Sequence, residues 1–173
     1  MAEDNWLDLY RKTSSRLLLF ARQYVSGLQD AEDVLQEAFV KFWKNREEGL
    51  DEERQVARLY GCVRWVALDW LRRNGRRVKR EDAASNDASL REGDTLFECP
   101  VDEEERVKAM QDALLQLPEA QREVVALKVW SGLTFDAIGE ALDISPNTAA
   151  SRYRYALAAL RTNMNLCSYA RNG

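Results

Sequence analysis

Residues 81–105, EDAASNDASLREGDTLFECPVDEEE, most limit the folds open to this chain. They hold ten Asp or Glu against one Arg, a net of −9, and show little apolar periodicity. A stretch so rich in Ser, Asn, Asp, Ala and Gly cannot bury enough apolar surface to offset the entropy of ordering it. A chain of 173 residues interrupted there is expected to form two small domains around a linker, not one core. The net charge is −4 and the pI is near 5.1, yet the residues outside 81–105 sum to +5. The acidity belongs to one segment. That segment reads either as a solvated tether or as a functional path between the domains.

Both flanks read as helical. Periodic segments are long, β-branched alternation is scarce, and no hairpin dipeptide separates apolar strands. Trp6, Tyr10, Leu17, Phe20, Ala21 and Tyr24 outline a first helix, and Gly27 with Asp30 separates it from a second over about 30–46. A third spans about 53–73 and is expected to end at the cap pair Asn74-Gly75. Past the linker, a helix near 103–117 stops at Leu117-Pro118. Pro118 is placed to open the next, about 118–130, and Gly132 to close it. Thr134 caps a short helix over 135–142, and Asp143-Ile144 form a turn. Ser145-Pro146 then opens a last helix running to about 162, with Ser as cap and Pro at the first helical position. The 118–162 stretch has helix–turn–helix spacing.

Composition removes several classes of chemistry. Histidine is absent, so the commonest metal ligand and general base are missing. Cys62, Cys99 and Cys167 lack CxxC spacing, which implies a reducing compartment and neither a disulfide frame nor a zinc site. No phosphate-cradling or dinucleotide glycine motif occurs. No apolar run nears the roughly 20 residues of a membrane span, and the acidic, mixed N-terminus is no secretory signal. Neither a catalytic constellation, a metal nor a cofactor is expected. Nor is a small-molecule substrate or a membrane partner, and the expected location is cytoplasmic.

Three faces stand out when residues are placed at 100° per step. On the second helix Val34, Leu35, Ala38, Phe39, Phe42 and Trp43 turn inward, leaving Asp33, Gln36, Glu37, Val40 and Lys44 outside. That outer stripe is either a docking surface or an ordinary solvated face. On the third, Val56, Leu59, Tyr60, Val63, Val66, Ala67, Trp70 and Leu71 form the inward stripe. Trp65 falls opposite with Arg64, Leu68 and Arg72, ahead of Arg73, Arg76, Arg77, Lys79 and Arg80. Aromatic rings stack on unpaired bases and Arg holds phosphates, so this face suits single-stranded nucleic acid, unless Trp65 packs within its own domain. On the last helix Ala149, Tyr153, Ala156, Leu157 and Leu160 turn inward. Asn147, Ser151, Arg154, Tyr155 and Ala158 turn outward, with Thr148 and Arg152 on one shoulder. Amide and guanidinium groups near a helix N-terminus, flanked by hydroxyls, suit a major groove, although an ordinary helical hairpin has similar spacing.

Taken together, these segments resemble a known family. DAEDVLQEAFVKFW (30–43) looks like the polymerase-binding helix of region 2 in extracytoplasmic-function (ECF) sigma factors. LYGCVRWVALDWLRRNGRR (59–77) resembles the promoter-melting and minus-10 segment that follows it. LPEAQREVVALKVWSGLTFDAIGEALDISPNTAASRYRYALAALR (117–161) resembles region 4, which binds the minus-35 element. The order is right and most of the chain is covered. The family often carries Asn where Trp65 stands and a Trp where Arg58 stands, and its recognition helix usually ends in Arg-Ala-Arg where this chain reads Arg154-Tyr155-Ala156-Leu157.

The resemblance implies an all-α protein of two small helical domains: a region 2 bundle over 1–80 and a region 4 helix–turn–helix over 106–166, joined by the acidic linker 81–105. It implies a non-enzymatic factor that binds core RNA polymerase, directs it to particular promoters and helps open the duplex. Asp33, Gln36, Glu37 and Val40 would meet the polymerase. Arg64, Trp65, Arg72, Arg73, Arg76 and Arg77 would engage the melted minus-10 DNA, and Asn147, Thr148, Ser151, Arg152, Arg154 and Tyr155 the double-stranded minus-35 element. An anti-sigma factor is a candidate partner, and no sensory domain is expected after region 4. The alternatives are a helix–turn–helix regulator without polymerase affinity, a decoy for an anti-sigma partner and, more remotely, an enzyme.

Overall fold

The structure, a computed structural model, describes the backbone of residues 2–47, 49–81 and 113–171, and the side chains of 6–47, 49–74 and 113–162. Linker residues 82–105, residues 103–112 of the helix expected near 103–117, and the side chains of Arg76, Arg77, Lys79 and Arg80 lie outside these residues. Among the described residues there are helices and turns and no strand. Six helices follow one another among the described residues: α1 (Ala2–Ala21), α2 (Leu28–Lys44), α3 (Glu52–Glu81), α4 (Glu119–Ser131), α5 (Phe135–Leu142) and α6 (Pro146–Arg171), and residues 113–115 are helical as well. Two compact units result, the first built on α1, α2 and α3, the second on α4, α5 as far as Gly139, and α6.

The first unit is a three-helix bundle. Leu17, Phe20 and Ala21 of α1, Val34 and Ala38 of α2, and Leu59, Tyr60, Val63, Val66 and Ala67 of α3 are almost wholly buried. Phe20 meets Tyr60 edge-on with ring centroids 5.1 Å apart. Near the other end of α1, Trp6 stacks on Phe42 at 5.8 Å and meets Phe39 edge-on at 5.2 Å. Such aromatic pairs add about 0.5–1.5 kcal/mol to area burial. Helix ends follow local chemistry. Asp30 sits in the first turn of α2 and Lys41 and Lys44 in its last, each sign complementing the helix dipole. Asp51 caps α3, its carboxylate accepting from the Arg54 backbone N–H at 2.8 Å.

In the second unit, Ala113, Leu117, Val125, Ala156 and Leu160 form a core cluster against which Tyr153 packs. Gly132 ends α4 in the left-handed conformation, φ 67°. The Thr134 hydroxyl caps α5 by accepting from the Ala137 N–H at 3.2 Å. Asp143, at φ 55°, closes α5. The Ser145 hydroxyl opens α6 by accepting from the Thr148 N–H at 3.1 Å.

Several expectations require correction. The third helix does not stop at Asn74-Gly75 but continues to Glu81. Arg and Lys are good helix formers, and one interior Gly costs only about 1 kcal/mol against Ala. The first helix ends at Ala21, leaving Tyr24 in the following turn, where its ring still meets Phe20 at 5.5 Å. Pro118 is the residue before α4, not its first helical position. Leu71 is 38% exposed and Leu157 43% exposed, so neither belongs to the inward stripe. Each follows an inward residue, Trp70 or Ala156, by one position, and 100° of rotation carries it to the edge. The last helix reaches Arg171, well past 162.

Candidate nucleic-acid interface

The outer stripe of α2 is the first candidate surface. Asp33 and Gln36 are exposed, and Val40 is 53% exposed, an apolar side chain left in water among polar neighbours. Asp33 is tied loosely to Gln29 at 3.4 Å. Glu37 differs because it faces two cations of its own unit. One carboxylate oxygen lies 2.8 Å from Lys41 Nζ, one turn on, and the other 3.5 Å from Arg73 on α3. The hydrogen bond from Lys41 holds the Glu37 carboxyl below the usual carboxylate range, with Arg73 adding a smaller Coulombic pull.

The second surface lies on α3 beside the first. Trp65 is 54% exposed, so its indole is not part of the bundle core. Lys41 Nζ sits 3.7 Å from the centroid of that ring. Arg72 is exposed, Arg64 half-buried, and Arg73 binds Asp69 at 3.1 Å as well as Glu37. Arg76 and Arg77 lie further along the same helix, with side chains beyond the described residues. The two groups of residues separated in the sequence reading are therefore one surface, joined through Glu37, Lys41 and Arg73. Sequence reasoning missed Lys41. Its position four residues after Glu37 signals the ion pair, but nothing local signals the Trp65 ring.

The third surface is the N-terminal half of α6. Asn147, Arg154 and Tyr155 are exposed, while Thr148, Ser151 and Arg152 are half-buried. The Thr148 hydroxyl lies 2.8 Å from that of Ser145, which ties it to the helix cap. The Arg154 guanidinium carbon is 5.8 Å from the Tyr155 ring centroid, and Tyr155 is 63% exposed. This face is set by the α5–α6 turn. Gly139 matters here and was also missed. Its carbonyl accepts from the Ile144 N–H at 3.0 Å, and a Cβ on it would lie 2.7 Å from the Ile144 carbonyl oxygen.

Among the described residues no group of three or more His, Cys, Asp or Glu is placed to hold a metal ion. Cys62 is half-buried, and burial pushes its thiol pKa up, away from nucleophilic character. No helix of the described residues is long and apolar enough to cross a membrane.

Comparison with known proteins gives these surfaces a setting. The sigma-70 region 2 family matches residues 9–77, and the sigma-70 region 4 family matches 108–160. An ECF RNA polymerase sigma-E factor of Haemophilus influenzae is 31% identical over 137 residues, covering 75% of this chain and 71% of the relative. An RNA polymerase sigma-H factor of Pseudomonas aeruginosa is 26% identical over 151 residues, covering 83% and 78%. In fold, the chain is similar to the sigma factor RpoE of Bartonella quintana, solved with the anti-sigma factor NepR. The TM-score is 0.68 at 21% identity, covering 94% of this chain and 96% of that one. Two helical units carrying regions 2 and 4 in that order, and a relative matched over most of both chains, place the protein: it belongs to the family of ECF RNA polymerase sigma factors.

Proposed function

We infer that this chain binds core RNA polymerase, directs it to specific promoters and assists opening of the duplex. The observation that carries this is the pair of matches over 9–77 and 108–160, each falling on its own helical unit. A helix–turn–helix regulator without polymerase affinity would leave residues 9–77 without a role. Run-off transcription by core enzyme with and without the protein, over a promoter library, tests the reading. Transcripts that require the protein support it. Binding of DNA with no effect on initiation and no association with core sinks it.

We place region 2 over 1–80, the acidic linker over 81–105 and region 4 over 106–166, in a cytoplasmic, non-catalytic initiation factor. An anti-sigma factor is a fitting regulator, since the similar RpoE structure is a complex with one. The polymerase-facing residues are assigned as Asp33, Gln36, Glu37 and Val40. Val40→Asp and Gln36→Ala are expected to weaken core binding by more than about 1 kcal/mol each with helicity unchanged. Both positions are exposed, so neither substitution opens a cavity. Core affinity equal to wild type in both variants would show that α2 docks through another face.

Within α6, Arg154 is assigned a bidentate contact to guanine and Asn147 a contact to adenine. Ser151 and Arg152, half-buried on the flank, are assigned to phosphates. Arg154→Ala should cost roughly 1–3 kcal/mol on the preferred minus-35 sequence and relax preference at one position. Arg152→Ala should weaken all sequences about equally and lower the salt slope by about one unit. Binding to randomised minus-35 duplexes checks both. An unchanged preference profile in Arg154→Ala means another residue reads the bases.

A further inference from the structure

The described surface holds one arrangement that the assignments above do not use. Lys41 contacts neither proposed ligand by assignment, yet it touches residues of both proposed surfaces. Its ammonium lies 2.8 Å from the Glu37 carboxylate on α2 and 3.7 Å from the Trp65 ring centroid on α3. An ammonium at that distance lies within the range of a cation–π contact. One face of the indole is thus occupied by a cation, while Trp65 as a whole remains 54% exposed. The Lys41 side chain is only 34% exposed, so it is packed into place and not waving in solvent.

We propose that Lys41 is a positioning residue for melted promoter DNA: anchored by Glu37, it holds the Trp65 ring from one side so that the open face meets an unpaired base. The proposal rests on the reading of Trp65 as a DNA-facing ring. An exposed indole that must be ordered on binding loses side-chain entropy at that moment, and a ring already held does not. Lys41 acts through Trp65 and not by touching the DNA. Glu37 belongs both to this clamp and to the stripe assigned to polymerase. Docking there therefore acts on the same carboxylate that fixes Lys41.

Affinity of assembled holoenzyme for a single-stranded minus-10 oligonucleotide is the measurement, made across several salt concentrations. Lys41→Met keeps the aliphatic stem and removes the cation. It should weaken binding roughly fivefold, the scale of ordering one side chain, with the salt slope unchanged. Lys41→Arg, which can pair with Glu37 and stack on an indole, should restore affinity. In the Trp65→Ala background, Lys41→Met should add nothing. Fluorine NMR of 5-fluorotryptophan protein supplies a direct readout. The Trp65 resonance, assigned by its loss in Trp65→Phe, should move in Lys41→Met and return in Lys41→Arg.

A loss that persists in the Trp65→Ala background, or a salt slope lower by about one unit, would make Lys41 a phosphate contact and overturn the proposal. An unmoved Trp65 resonance, or Lys41→Arg behaving as Lys41→Met, overturns it as well. If Trp65→Ala weakens binding and Lys41→Met does not, the positioning role fails alone. If Trp65→Ala itself is neutral, the underlying reading of the ring fails with it.

Discussion

Gly139→Ala is expected to destabilise the second unit by about 2 kcal/mol, within the range for overpacked sites, and to cost most of the minus-35 affinity. Gly139 lies inside α5, where Ala is ordinarily the better helix former by up to about 1 kcal/mol. Here the sign reverses. The added Cβ would stand 2.7 Å from the Ile144 carbonyl oxygen and 3.4 Å from the Pro146 nitrogen. Both obstacles are backbone atoms, so no side chain can swing aside. The turn cannot easily yield either. Asp143 already holds φ 55°, and the Ile144 N–H is bonded to the Gly139 carbonyl at 3.0 Å. The methyl group therefore wedges α6 away from α5, and the α6 face loses its register against a groove. A unit of this size has only a few kcal/mol of stability to lose. Thermal unfolding of the full chain, with minus-35 duplex binding alongside, checks the expectation. An unfolding curve and an affinity both equal to wild type would show that the turn has room for a side chain.

Trp65→Ala is expected to reduce open-complex formation by roughly tenfold or more while leaving closed complexes nearly unchanged. Stacking on an aromatic ring is worth about 1–3 kcal/mol per base and is available only once bases leave the duplex. The indole is 54% exposed, so its removal creates no core cavity, and the expected change in fold stability is below about 1 kcal/mol. Strand opening and stability should therefore separate. Permanganate reactivity of the minus-10 thymines reports the first and thermal unfolding the second. Full reactivity at saturating protein, or a large drop in unfolding temperature, would remove Trp65 from the DNA surface. The variant also frees Lys41 from the ring. Lys41, half-buried and still paired with Glu37, has little to gain elsewhere, so the melting defect is assigned to the lost stacking surface.

Much of this protein is legible without coordinates, because much of it is decided within a turn or two of chain. The Thr134 and Ser145 caps, the left-handed stop at Gly132 and the inward stripe Ala149, Tyr153, Ala156, Leu160 depend on residues three or four positions apart. The same holds for the buried face of α2 and for the placement of Val40 and Trp65 on the outer faces of their helices. Local signals fail where two of them compete. Asn74-Gly75 has the composition of a helix end, but the cationic residues that follow sustain α3 to Glu81. Leu71 and Leu157 are apolar and near the stripe, yet one rotational step too far to be covered.

Only the tertiary structure decides what happens between helices. Glu37 and Arg73 stand 36 positions apart, and Lys41 and Trp65 stand 24 apart. No periodicity links either pair, because their meeting depends on how α2 and α3 pack. Read along the chain, an acidic docking stripe and a basic aromatic DNA face are separate features. In the folded bundle a single carboxylate touches cations of both. Gly139 follows the same logic: its sequence context is an ordinary helix, and the need for glycine arises only from the approach of the Ile144 and Pro146 backbone across the turn. Elements and their faces are local free-energy minima of the chain, whereas the contacts that join one face to another exist only after those elements have packed.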